Sequence, residues 1–317
     1  MSEEPQKKKI SIVSGCFNEE GNLRELYNRL AAVWEKMPQY EWELIIADNF
    51  SQDHSREILR ELASCDKRVK VIFNSNNFGV IRSGYNAMMH ATGDAVVIMC
   101  SDLQDPPEMI PEFVDHWEEG YCVVCAVKAK SQEAPLMKNI RRFYYWLLNK
   151  SAGSKLISGF YGFGLYDRKF MQALRLFHDP YPYFRGLVSE IGMKRIEIPF
   201  TQEKRKAGRS SYNFLSYYDT AMTGFVNHTK LPLRLAVFCG FVLAFLSLLT
   251  AFGYLVYKLL YWDTFQLGLA PLVIGLFFFS AVQLIFIGIL GEYIGAIWTQ
   301  VKNKPLAIEE EKINFDE

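Results

Sequence analysis

At 317 residues the chain has room for one large domain or two smaller ones. Its 35 basic residues balance 35 acidic ones, which argues against a general nucleic-acid binder. Half of the residues are apolar, and their uneven spread divides an alternating front from an almost charge-free back.

Along the front, ISIVSGCF (10–17) reads as a strand, and NLRELYNRLAAVWEKM (22–37) as a helix with apolar residues three and four apart. WELIIADN (42–49) and SREILRELASC (55–65) repeat that pair, as do VKVIFNS (69–75) and GVIRSGYNAMMHA (79–91). DAVVIMCSD (94–102) is a fourth strand, PEMIPEFVDHWEEG (107–120) a helix opened by prolines, and YCVVCAVK (121–128) a fifth strand. Strands alternating with helices predict an α/β domain with a mostly parallel sheet. Ligands of such sheets gather beyond the carboxyl ends of the strands. Here those ends carry Asn18 and Glu19, Asp48 and Asn49, Asn76 and Asn77, and Asp102. The C-x-x-C of Cys122 and Cys125 lies inside an apolar strand with no second pair nearby, so it reads as core rather than zinc.

Two later segments read as interfacial helices, or as ordinary half-buried ones: LMKNIRRFYYWLLNK (136–150) mixes aromatic and cationic residues, and NFLSYYDTAMTGFVNH (213–228) puts Phe214, Tyr218, Met222 and Phe225 on one helical face. Between Leu235 and Tyr257, and again between Thr264 and Gly291, no residue is charged. Each stretch exceeds the ~20 residues that cross a bilayer core. Lys230 and Arg234 before the pair, with Lys302 and Lys304 after it, put both outer flanks on the cytoplasmic side. The expected division is a cytoplasmic domain over 1–210 and an amphipathic juxtamembrane helix over 211–230. A membrane hairpin over 231–302 follows, with spans about 233–259 and 266–292, and then a cytoplasmic tail over 303–317.

The motifs that carry chemistry fall at the strand ends and before the hairpin. They are Gly15-Cys16-Phe17-Asn18-Glu19-Glu20, Asp48-Asn49-Phe50-Ser51-Gln52-Asp53, CSDLQDPPE from Cys100, SGFYGFGLYDRKF from Ser158, and EKRKAGRSSYNF from Glu203. In this order they resemble the family 2 glycosyltransferases of GT-A fold, in particular the polyisoprenyl-phosphate glycosyltransferases. That group includes dolichol-phosphate mannosyltransferase and the bacterial undecaprenyl-phosphate sugar transferases.

The resemblance implies an inverting enzyme of the bacterial cytoplasmic membrane. It would move a sugar from a nucleotide-sugar, expected to be a UDP-sugar, to a polyprenyl phosphate. Gly15, Phe17, Asn18 and Glu19 match the turn against the nucleotide, and Asp48 and Asn49 the base-reading strand end. A carboxylate at Asp48 suits the imide N–H of uracil, whereas Asp53 reads as a helix cap. CSDLQDPPE matches the D-x-D-L-Q-x-P-P-E pattern with Cys100 in place of the first aspartate. Asp102, with Gln104 beside it, would then hold Mg2+ or Mn2+ against the donor diphosphate; magnesium needs only one or two carboxylates besides phosphate oxygens and waters.

Arg205 and Arg209 match the cationic loop that would grip phosphate, although such a run can also bind anionic headgroups. Where relatives carry a presumed base, this chain has Gly162, or Phe160 with another gap. Asp167 is the nearest carboxylate and the candidate for that role. Alternatively no base is needed, since a phosphate monoester with a second pKa near ~6 is already ionised. A processive synthase would carry Q-x-x-R-W, which is absent. A non-catalytic carrier-binding subunit stays open, and the resemblance also implies a homo-oligomer, tetramers being known among relatives.

Overall fold

The computed structural model describes residues 7–128, 157–202, 231–261 and 269–315. Eight strands form one sheet: β1 (Lys9–Cys16), β2 (Glu41–Asp48), β3 (Val69–Asn74), β4 (Ala95–Cys100), β5 (Val123–Lys128), β6 (Gly164–Asp167), β7 (Arg195–Phe200) and β8 (Glu309–Ile313). Their order across the sheet is β7-β5-β6-β4-β1-β2-β3-β8. The first four strands run parallel, as the alternating pattern predicts, and β7 is parallel to β5. The short β6 enters antiparallel between β4 and β5, and β8 is antiparallel to β3. The result is a mostly parallel mixed sheet of GT-A type.

Both faces of the sheet are covered, because alternate residues of each strand are apolar on opposite sides. One core unites Ile10, Ile12, Leu44 and Val97 with α1 (Leu23–Lys36), α2 (Ser55–Cys65) and α4 (Ile110–Glu118). The other unites Val13, Ile45, Ile72 and Val96 with α3 (Val80–Met89), α5 (Arg168–Leu174) and α6 (Phe184–Ile191). Cys125 lies in the second core and Cys122 packs at its margin, both as free thiols.

Glycine decides one contact. A Cβ on Gly164 would sit 2.1 Å from the carbonyl oxygen of Val124, so β6 meets β5 only because nothing projects there.

Helices α7 (Leu231–Leu260) and α8 (Leu269–Val301) are long and apolar enough to cross a membrane. The 30 residues of α7 rise roughly 45 Å, against a hydrocarbon core of about 30 Å. Their large apolar side chains, such as Phe241 and Phe277, face outward. Beyond the expected span of about 266–292, α8 runs on to Val301 and carries Trp298, whose ring centre lies 4.4 Å from Lys302 Nζ.

The stretch expected to be a cytoplasmic tail over 303–317 contains β8. Its acidic residues meet side chains from the helices beside β3 and their ends: Arg56 to Glu310 at 2.6 Å, Arg60 to Glu311, and the His90 ring to Glu309. The sheet therefore receives strands from before and after the two apolar helices.

Candidate active site

Register places the polar strand ends side by side. Cys16 pairs with Asp48 across β1 and β2, and Gly15 with Cys100 across β1 and β4. At Gly15 an added Cβ would meet nothing within 4 Å, so the cleft is open along this line. Phe17 stands half-buried beside it.

The turn after β1 is sewn to the turn after β2. Asn18 takes the left-handed conformation (φ 55°), which asparagine tolerates better than most residues. Its N–H donates to Ser51 Oγ at 2.9 Å, and its Oδ1 accepts from Gln52 N at 2.8 Å. The Glu19 and Glu20 amides donate to Ser55 Oγ and Asp53 Oδ2 at 2.9 and 3.1 Å. Glu19 itself is buried and accepts from Asn22 Nδ2. Asp53 also accepts from Ser55 N at 3.0 Å, tying down the start of α2, although the N-cap position expected of it is taken by His54. Ser51 and Ser55 are the seam between the two turns, and only their spacing from Asp48 hints at it.

Asp48 is fully buried at the end of β2. Its Oδ2 accepts from Ser51 N at 3.2 Å and lies 3.6 Å from Arg56 Nε. Burial pushes its pKa up, against the neighbouring Ser51 hydroxyl and Arg56 charge. Its Oδ1 is buried with no hydrogen-bond partner among the described residues. An unsatisfied buried acceptor of this kind costs about 1–3 kcal/mol until a donor arrives. Asn49, buried next to it, accepts from Phe78 N at 2.9 Å and donates to Asn77 Oδ1 at 2.7 Å, drawing the loop after β3 onto the pocket. Phe50 follows at φ 68°, a conformation that favours glycine.

At the end of β4, Cys100 is exposed, and its N–H donates to Asp105 Oδ2 at 2.8 Å. Asp105 is fully buried, and burial lifts its pKa to about 6 although Tyr161 and Cys100 donate to it. Asp102 is half-exposed, accepting from Gln104 N at 3.2 Å, and Gln202 Nε2 lies 3.4 Å from Gln104 Oε1. Of the two carboxylates, Asp102 is therefore the one that reaches the cleft. Among the described residues no group of three or more His, Cys, Asp or Glu side chains could hold a metal. One carboxylate with an amide oxygen nevertheless suits a hard cation completed by phosphate and water, whereas the Cys100 thiol does not.

Lys128 ends β5 at this same edge, with Nζ 4.3 Å from the centre of the Tyr161 ring. Sequence reasoning missed both residues, since the Tyr161 loop shows no periodicity. That loop explains the absent aspartate. Phe160 is buried, and Gly162 has φ 124° with its carbonyl accepting from Tyr166 Oη at 2.7 Å, so neither position suits a carboxylate. The loop brings a tyrosine to the cleft instead.

Asp167 is not brought there. In the antiparallel β4–β6 pair it lies opposite Ala95, at the far end of β4 from Cys100. One oxygen caps α5 by accepting from Lys169 N, and the other accepts from Trp117 Nε1, both at 2.7 Å. Proximity in sequence misleads here because β6 runs away from the cleft. Arg205 and Arg209 lie outside the described residues.

The glycosyl transferase family 2 model matches residues 11–175, which span β1 to α5 and hence every strand end described above. The chain belongs to glycosyl transferase family 2. Among proteins similar to it, glycosyltransferase YkcC of Bacillus subtilis is 34% identical over 307 residues, covering 96% of this chain and 94% of that protein. The bactoprenol glucosyl transferase of Shigella phage SfII is 30% identical over 298 residues, covering 94% and 96%. The mannosyltransferase PcManGT of Pyrobaculum calidifontis, solved with GDP-Man and Mn2+, is 16% identical with a TM-score of 0.47 over 94% of this chain, a likeness too slight to bear on mechanism. As a family 2 member this chain is a glycosyltransferase.

Proposed function

We propose that this glycosyltransferase moves a sugar from a UDP-sugar to a polyprenyl phosphate at the cytoplasmic face of a bacterial inner membrane. The observation that carries the donor reading is the buried, unpartnered Oδ1 of Asp48 at the mouth of the sheet. A uracil imide N–H supplies the one thing that atom lacks. Phe17, half-buried at the neighbouring strand end, offers a ring to the base.

Asp102 and Gln104 would hold a divalent ion, which when bound neutralises charge on the diphosphate. Lys128 adds a cation at the same edge. The acceptor reading draws on the relative named as a bactoprenol glucosyl transferase, which this chain matches over nearly its full length. An oxygen of the lipid phosphate forms the new bond to the anomeric carbon as the bond to UDP breaks, with inversion. That oxygen is already anionic near neutral pH, so the residues need only position it and shield it from the donor. Arg205 and Arg209 are assigned to that shielding.

The membrane reading draws on α7 and α8 together with β8, because a hairpin returns the chain to the side of the sheet it rejoins. The positive flanks make that side cytoplasmic.

The test is mass analysis of lipid products after incubating the purified full chain with undecaprenyl phosphate, magnesium or manganese, and a panel of UDP- and GDP-sugars. A β-linked lipid phosphosugar from a UDP donor is expected. Product from a GDP donor alone would overturn the base reading. Binding of UDP without any product would favour a non-catalytic carrier-binding subunit.

A further inference from the structure

The chain leaves the second apolar helix at the rim where the parallel strands end. Near the end of α8 the Trp298 ring lies under Lys302 Nζ, a ring and a cation paired as they are at membrane–water boundaries. Asn303 then takes the left-handed conformation (φ 41°) and turns the chain, donating its N–H to Gln300 O at 3.1 Å. Pro305 follows Val301 by only four residues, no more than roughly 14 Å of extended chain. Its carbonyl accepts from Arg82 Nη2 at 2.7 Å, and the Ile308 carbonyl accepts from Ser75 N at 2.9 Å. Ser75 and Arg82 flank the turn between β3 and α3, so that turn is held beside the end of α8.

In the described part of the sheet domain the exposed large apolar side chains are Val80, Leu176, Tyr181 and Ile308. Val80 (62% exposed) and Ile308 (55%) belong to the two segments joined at this point. Lys302 and Lys304 are exposed on the same connection, whereas Glu309, Glu310 and Glu311 are held by Asn86, Arg56 and Arg60. Exposed apolar side chains bordered by free-standing positive charge suit a headgroup layer. We propose that Val80 on the β3–α3 turn, together with Ile308, rests in the headgroup layer of the bilayer that α7 and α8 cross. The proposal rests on the membrane reading of those two helices. The contact turns the cleft toward the lipid, because β1 to β4 end on the same rim. It also reaches the donor pocket, since Asn49 holds Asn77 at 2.7 Å and the Phe78 amide at 2.9 Å, two residues before Val80.

The experiment uses the full chain in vesicles of phosphatidylethanolamine and phosphatidylglycerol, with the exposed thiols Cys65, Cys100 and Cys239 replaced by serine. A fluorophore is attached at Val80→Cys, Ile308→Cys, Leu176→Cys or Phe241→Cys, one per chain, and exposed to lipids carrying a nitroxide on the headgroup or in mid-chain. The headgroup nitroxide should quench the Val80 and Ile308 probes more than about twofold, as contact with a layer about 5–10 Å deep requires. Leu176 is the more exposed side chain (76%), but its neighbour Arg175 bonds Met89 and Ala91 at the far end of α3. Its probe should lose less than about a tenth of its signal. Phe241, facing outward on α7, should respond to the mid-chain nitroxide.

Phe241 quenched from within the bilayer, with neither Val80 nor Ile308 quenched at the headgroups, overturns the proposal. Quenching of Leu176 equal to theirs overturns it too. Energy transfer between Val80 probes on separate copies, in place of lipid quenching, would give the patch to a second copy and likewise sink the headgroup contact. A Phe241 probe that no lipid reaches would remove the membrane reading itself, and the proposal with it.

Discussion

Tyr161 donates its hydroxyl to Asp105, joining a glycine-rich loop to a turn 56 residues earlier in the chain. The same carboxylate accepts from the Cys100 amide, so one buried group fixes both the end of β4 and the loop that faces it. Tyr161→Phe removes the donor and leaves the buried carboxylate short of a partner, at a cost of about 1–3 kcal/mol. Hydrogen exchange at the amides of 100–105 should speed up, and transfer should fall while UDP binding is kept. Unchanged exchange would mean that the knot is not what orders the turn.

Asp102→Asn should abolish metal-dependent transfer while leaving the protein folded and in the membrane fraction. Asp167→Asn should cost less than about tenfold, below the ~100- to 10,000-fold typical of a positioned base, since its site is the cap of α5. Both belong in one assay near pH 7.5 with saturating metal. If Asp167→Asn is as inactive as Asp102→Asn and still folded, the acceptor phosphate is not its own nucleophile.

Glu43 makes a buried ionic knot at the other end of the sheet, 2.7 Å from Lys9 Nζ and 3.0 Å from Lys70 Nζ. Burial opposes its charge, but Lys9, Ser11, Thr92 and Lys70 overcome it and hold the pKa down to about 2. The folded value lies below the unfolded one, near ~4.3. The stabilisation is therefore complete above about pH 4.5 and is lost as pH falls toward 2, roughly 3 kcal/mol in all. Hydrogen exchange of β1 and β2 amides should accelerate over that window, and Glu43→Gln should flatten the dependence. A window centred near pH 6 would assign the effect to another group.

Phe50 pays roughly 1–2 kcal/mol for its left-handed backbone, a cost that alanine would also pay and glycine would not. Phe50→Gly should therefore be more stable than Phe50→Ala by about 1 kcal/mol in thermal melts. The reverse order would show that the turn relaxes when the ring is removed.

Strands β1 to β5 were legible because each is an apolar run ending in polar residues, and their helices keep regular apolar spacing. The strand-end cluster followed from that order alone. β6 was not legible, since four residues among glycines and aromatics carry no period, and with it went the direction that removes Asp167 from the cleft. β8 was hidden for another reason. Glu309, Glu310 and Glu311 read only as part of a tail until they are seen against His90, Arg56 and Arg60 respectively, partners more than two hundred residues away. The Phe50 conformation was likewise invisible, as a bulky residue gives no sign of a positive φ.

The last strand to join the sheet is also the last to be synthesised. Until residues 309–313 have been made, the outer edge of β3 presents unpaired amides and carbonyls, a template for pairing with other chains. The two apolar helices precede that strand, so a nascent chain completes its sheet only after both have been made. A chain that ends inside the hairpin keeps a bare edge and lacks the partner of Arg56. Assembly order thus works as quality control: a copy cut short before β8 is also a copy that has not finished folding.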